Sequence, residues 1–196
     1  MTTDLLLAFA LGYLFGSIPF GLLLTRFAGK GDLRDIGSGN IGATNVLRTG
    51  SKPLAAATLI LDCLKATTAI LVARAIWPDS DIAAAAGALI GHLYPVWLKF
   101  RGGKGVATLL GVLIALSWQA AVVFAIAWVG LFLLLRFSSV GGIGAAISAP
   151  ITAFVLGRQD LVPLFAGFAL LVVWKHKENI RRLFAGTEPK VGRRKT

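Results

Sequence analysis

VATLLGVLIALSWQAAVVFAIAWVGLFLLL (Val106–Leu135) runs for thirty residues without a charge. Whether it crosses a membrane once or twice decides the topology of the whole chain. A helix rises about 1.5 Å per residue and a hydrocarbon core is about 30 Å thick, so about 20 residues make one crossing. Val106–Leu135 is therefore either one long tilted helix or two short ones. The flanking charges choose between them. Lys and Arg concentrate in cytoplasmic loops because they orient insertion. By that rule Lys99, Arg101 and Lys104 place the loop before Val106 inside, as Arg26, Lys30, Arg34, Arg48 and Lys52 do for the loop after the first apolar run. A single crossing would then leave the tail outside with Lys175, Lys177, Arg181, Arg182, Lys190, Arg193, Arg194 and Lys195. Two crossings, broken near Ser117–Trp118–Gln119, bring it inside.

Working outward, further apolar segments lie at Leu5–Thr25, Pro53–Trp77, Ile82–Leu98, Phe137–Gly157 and Leu161–Trp174. The expectation is an all-α integral membrane protein of seven transmembrane helices, N-terminus out and C-terminus in, forming one domain over residues 1–196. Seventeen of the 20 basic residues then lie inside, Arg136 among them, while Asp4, Asp79, Asp81 and Asp160 fall outside. Composition agrees, since 56% hydrophobic and 15% charged residues is too apolar for a soluble domain of this size. Leu5–Thr25 is read as an anchor and not a signal peptide, because nothing basic precedes it and no small-residue cleavage site follows before Arg26. Val106–Ser117 is the exceptional span. Its twelve residues reach only about 18 Å, so it is either sheltered by protein or re-entrant.

The net charge of +11 does not require a nucleic-acid partner, because insertion topology already accounts for it. Cys63 is the single cysteine, which excludes an internal disulfide, a Cys-x-x-Cys redox pair and a thiolate metal cluster. In an apolar stretch it reads as packing. No cofactor and no metal is expected.

Three strings collect the chemistry, all on the expected cytoplasmic face. In FRGGKGVAT (Phe100–Thr108), Gly102, Gly103 and Gly105 flank Lys104 just before an apolar helix, so unpaired amides and the positive helix end offer an anion site. This is not a Walker A loop, since Leu98 stands where its first glycine is needed and Gly105 replaces the Ser or Thr. In GSGNIGATNVLR (Gly37–Arg48), Gly37, Gly39 and Gly42 alternate with the donors Ser38, Asn40, Thr44 and Asn45, and Arg48 can fork onto an oxyanion. Alternatively, Ser38 or Asn40 caps the short helix leading to Arg48. WKHKENIRRLFAGTE (Trp174–Glu188) places His176, Asn179 and Arg182 on one helical stripe, with Glu188 beyond.

Asp62 and Lys65, three residues apart inside a span, read as a structural ion pair. His92 stands alone among apolar residues before Tyr94–Pro95, and an interfacial polar role suffices for it. No G-x-S-x-G elbow and no His-x-x-x-x-Asp pair is present. A nucleophile with its own base is not evident, and a substrate that arrives already activated needs none.

These three strings, in this order and with this span pattern, resemble the bacterial membrane glycerol-3-phosphate acyltransferases that use acyl phosphate as donor. The similarity covers essentially the whole chain. Small departures are Arg101 for a frequent Lys, Lys177 for a common Arg and Ala66 for a frequent Gly. The resemblance implies acyl transfer to the 1-hydroxyl of glycerol 3-phosphate, giving lysophosphatidate and phosphate, at the cytoplasmic face of a bacterial inner membrane. A soluble enzyme that supplies acyl phosphate is the implied partner, beside the lipid bilayer. On it, Gly37, Ser38, Gly39, Asn40, Thr44, Asn45 and Arg48 hold one phosphate, that of the donor, and Gly102, Gly103, Lys104 and Gly105 hold glycerol 3-phosphate. His176 and Asn179 border the reacting carbonyl, with His176 either taking the hydroxyl proton or donating to the oxyanion. A reading from another class is a membrane carrier for phosphorylated metabolites, which broken helices facing anions would suit.

Overall fold

The computed structural model describes residues 1–191; Arg193, Arg194 and Lys195, counted with the tail above, lie outside the described residues. Among those described, every regular element is helical. In order they are α1 (Thr2–Gly16), α2 (Phe20–Phe27), α3 (Ala43–Leu47), α4 (Lys52–Ile76), α5 (Asp81–Leu93), α6 (Val106–Leu116), α7 (Trp118–Leu135), α8 (Ser138–Val155), α9 (Val162–Lys175) and α10 (Lys177–Phe184), with 3-10 turns at Leu33–Asp35 and Val96–Leu98. Among the described residues, five segments are long and apolar enough to cross a membrane: Thr2–Phe27, Lys52–Ile76, Asp81–Leu98, Trp118–Leu135 and Ser138–Val155. α6 and α9 are as apolar in kind but have only 11 and 14 residues, about 16 and 21 Å of helix.

The break inside Val106–Leu135 falls at Ser117, whose backbone is extended (φ −160°, ψ 89°) and whose carbonyl accepts the Ala121 N–H. Ser favours such cap positions over helix interiors. The first apolar run departs from expectation. Leu5–Thr25 is not one helix, because α1 ends at Gly16 and α2 restarts at Phe20. Pro19 has no N–H to continue the ladder, and its ring disfavours helical geometry at Ile18. The carbonyls this break exposes find side-chain donors: Trp97 Nε1 to Ser17 O at 2.7 Å and Lys65 Nζ to Ile18 O at 2.8 Å. α4 begins as its sequence suggests, with Ser51 Oγ accepting the Leu54 N–H and Pro53 in the first turn.

The chain divides into two compact units, Met1–Leu116 and the part from Ser117 onward. In the first, α1 and α5 meet through small residues. Gly12 and Gly16 lie against the backbone of Ala84 and Ala88, and Gly87 and Gly91 lie against the backbone of Phe9 and Tyr13. A side chain at any of these would meet a carbonyl, which is how two helices come close where lipid supplies no hydrophobic drive. Gly111 of α6 lies against the Cys63 backbone of α4, and Thr67 Oγ1 donates to Gly111 O at 2.8 Å. Beneath the loop from 28 to 51, Leu22, Leu33, Ile41, Val46 and Ala55 form a small core, joined by Leu98 from the segment that leads to Lys104. In the second unit, α8 buries Gly141, Gly142, Ala145, Ala146, Ala149 and Ala153, while α9 buries Phe165, Phe168, Ala169 and Val172.

Candidate active site

The Gly37–Arg48 loop is built around Asn45, which is 2% exposed. Its Nδ2 donates to Leu33 O (3.0 Å) and Ile36 O (2.8 Å), and its Oδ1 accepts the Ser38 N–H (3.2 Å) and Arg48 Nη1 (3.2 Å). Both amide hydrogens are therefore committed to loop carbonyls. Asn45 fixes Ser38 and Arg48 in place, and is not itself a ready donor for a ligand, as the sequence expectation had it. Gly37 and Gly39 are left-handed, with φ of 57° and 67°. A Cβ on Gly37 would stand 2.6 Å from Asn45 Oδ1 and 2.8 Å from Arg48 Nη1, so glycine is required for the backbone to pass beneath the guanidinium. Ser38 and Arg48 remain exposed, and Thr44 is half-buried.

The capping alternative is corrected here. Gly42 is the N-cap of α3, and Asn40 Oδ1 accepts the Gly42 N–H at 2.9 Å in a local turn. Neither Ser38 nor Asn40 caps the helix. At five residues α3 is also too short for its N-terminus to act as an anion site. At the loop's entrance, Asp32 accepts from the Arg34 side chain (2.6 Å), the Arg34 N–H (2.9 Å) and Arg26 (2.5 Å). Those bonds hold its carboxyl well below the usual carboxylate range and keep it ionised.

The Phe100–Thr108 loop also differs from expectation. Its first two glycines do not offer free amides, because Gly102 N–H donates to Leu93 O (3.2 Å) and Gly103 N–H to His92 O (3.0 Å). The loop is strapped to the end of α5. Glycine is needed at both positions because a Cβ at Gly102 would meet the His92 carbonyl and Pro95, and one at Gly103 would meet the His92 ring. Lys99 and Phe100 adopt left-handed φ of 52° and 61°, uncommon for residues with side chains, and turn the chain sharply toward the loop. Gly105, with φ 85°, leads into α6. The amides that α6 leaves without intrahelical partners begin there. Thr108 is fully buried and its Oγ1 has no hydrogen-bond partner among the described residues. A buried orphan hydroxyl in the first turn of α6 is a further polar group at this helix end, one the sequence did not single out.

In the second unit, His176 sits at the junction of α9 and α10 and is 3% exposed. Its Nδ1 is 2.7 Å from Val172 O. A carbonyl only accepts, so Nδ1 carries a proton. Asn179 Nδ2 donates to Glu188 Oε1 (2.6 Å), which also accepts Ser139 Oγ (2.7 Å), and Arg182 Nε donates to Glu188 Oε2 (2.7 Å). Burial works to raise the Glu188 carboxyl, but the bonds from Asn179, Ser139 and Arg182, with the Arg182 charge, outweigh it and hold it below its usual value. The sequence put Asn179, Arg182 and Glu188 in one cluster. It gave no sign of Ser139, 49 residues away.

The first unit thus carries the Arg48 loop over a small core that Leu98, ahead of the Lys104 loop, also joins. The second carries a buried imidazole, His176, whose Nδ1 lies on the Val172 carbonyl. A family model for glycerol-3-phosphate acyltransferase matches residues 6–186. The glycerol-3-phosphate acyltransferase of Mesorhizobium japonicum is 57% identical over 192 residues, 98% of either chain. That of Brucella anthropi is 57% identical over 192 residues, covering 98% of this chain and 96% of its own. Among solved structures, the glycerol 3-phosphate form of PlsY (YgiH), an integral membrane glycerol 3-phosphate acyltransferase, matches with a TM-score of 0.89 at 38% identity over 96% of each chain. Its lysophosphatidic acid form matches with a TM-score of 0.87 at 36% identity, over 96% of this chain and 95% of its own. With the family model spanning the first two strings, all but the last two residues of the third and nearly every helix, the chain belongs to the glycerol-3-phosphate acyltransferase family.

Proposed function

We propose that this protein transfers a fatty acyl group from acyl phosphate to the 1-hydroxyl of glycerol 3-phosphate, releasing lysophosphatidate and phosphate. The observation that carries this reading is membership of a family with solved glycerol 3-phosphate and lysophosphatidic acid forms, in a chain whose Arg48 and Lys104 each stand on a glycine-rich loop. In the reaction the hydroxyl oxygen bonds to the acyl carbon, the bond from that carbon to the phosphate oxygen breaks, and the hydroxyl proton leaves. Phosphate is a good leaving group, so positioning and charge stabilisation dominate over covalent activation.

Each residue then has a role. Ser38 and Arg48, with Gly37, Gly39, Asn40 and Thr44 shaping the loop and Asn45 locking it, hold the donor phosphate. Lys104, with Gly105 at the start of α6 and Gly102 and Gly103 as its strap, holds glycerol 3-phosphate. His176 takes the hydroxyl proton at Nε2, a role favoured over oxyanion donation by the Nδ1 proton on Val172 O. Asn179, fixed by Glu188, borders the reacting carbonyl. No observation favours the carrier alternative. Purified protein should release phosphate only when acyl phosphate and glycerol 3-phosphate are both present, with sequential kinetics. Stoichiometric acylation of the chain by acyl phosphate alone would overturn direct transfer, and glycerol 3-phosphate uptake into vesicles without phosphate release would replace the enzyme by a carrier.

We further propose seven spans within a single domain, α6 and α9 joining the five longer segments, with the N-terminus out and the active site on the cytoplasmic side of the inner membrane. The supporting fact is the distribution of Lys and Arg. With Cys63→Ala as background, a cysteine at Asp160 should react with an impermeant thiol reagent from outside intact cells and one at Thr187 should not. Labelling at Thr187 would reverse the parity. The soluble supplier of acyl phosphate remains part of this same proposal, as the source that an activated, membrane-bound donor requires.

A further inference from the structure

Lys65 is 4% exposed inside α4, and its ammonium has three partners: Asp62 Oδ1 at 2.7 Å, Ile18 O at 2.8 Å and His92 Nδ1 at 2.9 Å. Asp62 and His92 are 2% and 4% exposed. The pair read from sequence as self-sufficient is thus a junction of three segments: α4, the break between α1 and α2, and the end of α5. An ammonium has donors only, so His92 Nδ1 accepts and the ring's proton is on Nε2. That edge of the ring faces Gly103, where an added Cβ would meet Nε2, Cε1 and Cδ2 together. The carbonyl of the same His92 accepts the Gly103 N–H at 3.0 Å, and the next carbonyl, Leu93 O, accepts from Gly102. Lys104 follows directly.

Charges inside a membrane are costly and persist where they pair or serve a function. Satisfying one another would require only Asp62 and Lys65. The third ammonium bond instead fixes the rotation of the imidazole, and the imidazole is the floor on which Gly103 rests.

We propose that Asp62, Lys65 and His92 are positioning residues that set the seat of the Gly102–Gly105 loop, and through it the placement of Lys104 on the phosphate of glycerol 3-phosphate. The inference rests on the assignment of that loop to glycerol 3-phosphate. His92 touches the loop, so its loss should act through the loop on the affinity for one substrate. A displacement of about 1 Å in a positioning group can cost up to about a hundredfold.

The test uses the full chain in detergent or vesicles, with kcat and KM measured for both substrates. His92→Asn keeps an acceptor for Lys65 but empties the space over Gly103. It should raise KM for glycerol 3-phosphate about tenfold and leave KM for acyl phosphate unchanged. Gly103→Ala, whose methyl meets the ring, should do the same. The double variant should be no worse than either single one, because the methyl then occupies the vacated space. Lys65→Met is the severe form, and if it fails to fold the His92 and Gly103 variants still decide the matter. Equal rises in both KM values, unchanged KM values, or additive losses in the double variant would overturn the proposal. Lys104→Ala separates the two ideas: if it raises KM for glycerol 3-phosphate while His92→Asn does not, only the positioning role fails. If Lys104→Ala leaves that KM untouched, the loop assignment itself is wrong.

Discussion

Lys104→Ala and Arg48→Ala should each lower kcat/KM by about 2–4 kcal/mol, some thirtyfold to a thousandfold, while leaving the helical fold intact. That is the scale of removing one preorganised charged group aimed at developing charge. Both side chains extend from loops whose backbones are fixed by other groups: the Arg48 loop by the bonds of the Asn45 amide to Leu33 O, Ile36 O and the Ser38 N–H, and the approach to Lys104 by the bonds from Gly102 and Gly103 to the end of α5. Truncating either removes charge without removing the scaffold. Arg48→Lys should recover only part of the loss, because a lysine has no planar fork for two phosphate oxygens. Asn45→Ala should resemble Arg48→Ala and add a loss of stability, since it removes the side-chain donor on Leu33 O and Ile36 O and the acceptor of the Ser38 N–H. Steady-state kinetics over both substrates are the check. Near-native activity of Lys104→Ala at every substrate concentration would remove that loop from the active site.

How far the sequence foretold this molecule follows from the range of each interaction. The break at Ser117 was legible because the orientation of the flanking Lys and Arg follows from counting them, and a count needs no knowledge of packing. The break at Ser17–Pro19 was equally local, and Pro19 signalled it, but an unbroken apolar run masked it. The glycine strings were visible as strings. Which of their amides face a ligand was not, since that depends on Leu93 O and His92 O, residues assigned to the preceding span. The same limit hid the bond between Lys65 and His92, 27 positions apart, and that between Ser139 and Glu188. Sequence spacing places side chains on one helix face, and only packing decides which face meets which loop.

The tautomer of His176 belongs to that second kind of knowledge. Nothing in WKHKEN fixes which ring nitrogen holds the proton. The Val172 carbonyl one turn back does so, because α9 ends at Lys175 and leaves that carbonyl near the imidazole. In the proposed mechanism, a helix end would supply what an Asp supplies in a catalytic triad: orientation of a base, without a second charge to desolvate.

Glu188→Ala should be the most damaging single substitution in the second unit. The Glu188 side chain is 5% exposed and receives bonds from Ser139 on α8 and from Asn179 and Arg182 on α10. Its removal unties the segment after α10 from both helices and leaves Asn179 without the anchor on its amide nitrogen. Breaking a buried pair costs about 3–5 kcal/mol, and the lower end applies because Arg182 is 36% exposed and water can take over its charge. Activity should fall with it, through Asn179. The same carboxyl makes a prediction about acid. Its folded pKa lies below the usual 4.5, so its stabilisation is complete above that value and is lost as pH falls through the lowered one. The thermal stability of the detergent-solubilised protein should therefore fall on the acid side of pH 4.5. Glu188→Gln, which keeps an acceptor for Asn179 and Ser139 but has no charge to titrate, should be less stable than the parent at neutral pH and should show a shallower decline in acid. An unchanged acid profile in Glu188→Gln would mean that another carboxyl governs it, and an unchanged midpoint in Glu188→Ala would mean that the three bonds hold nothing the rest of the unit does not already hold.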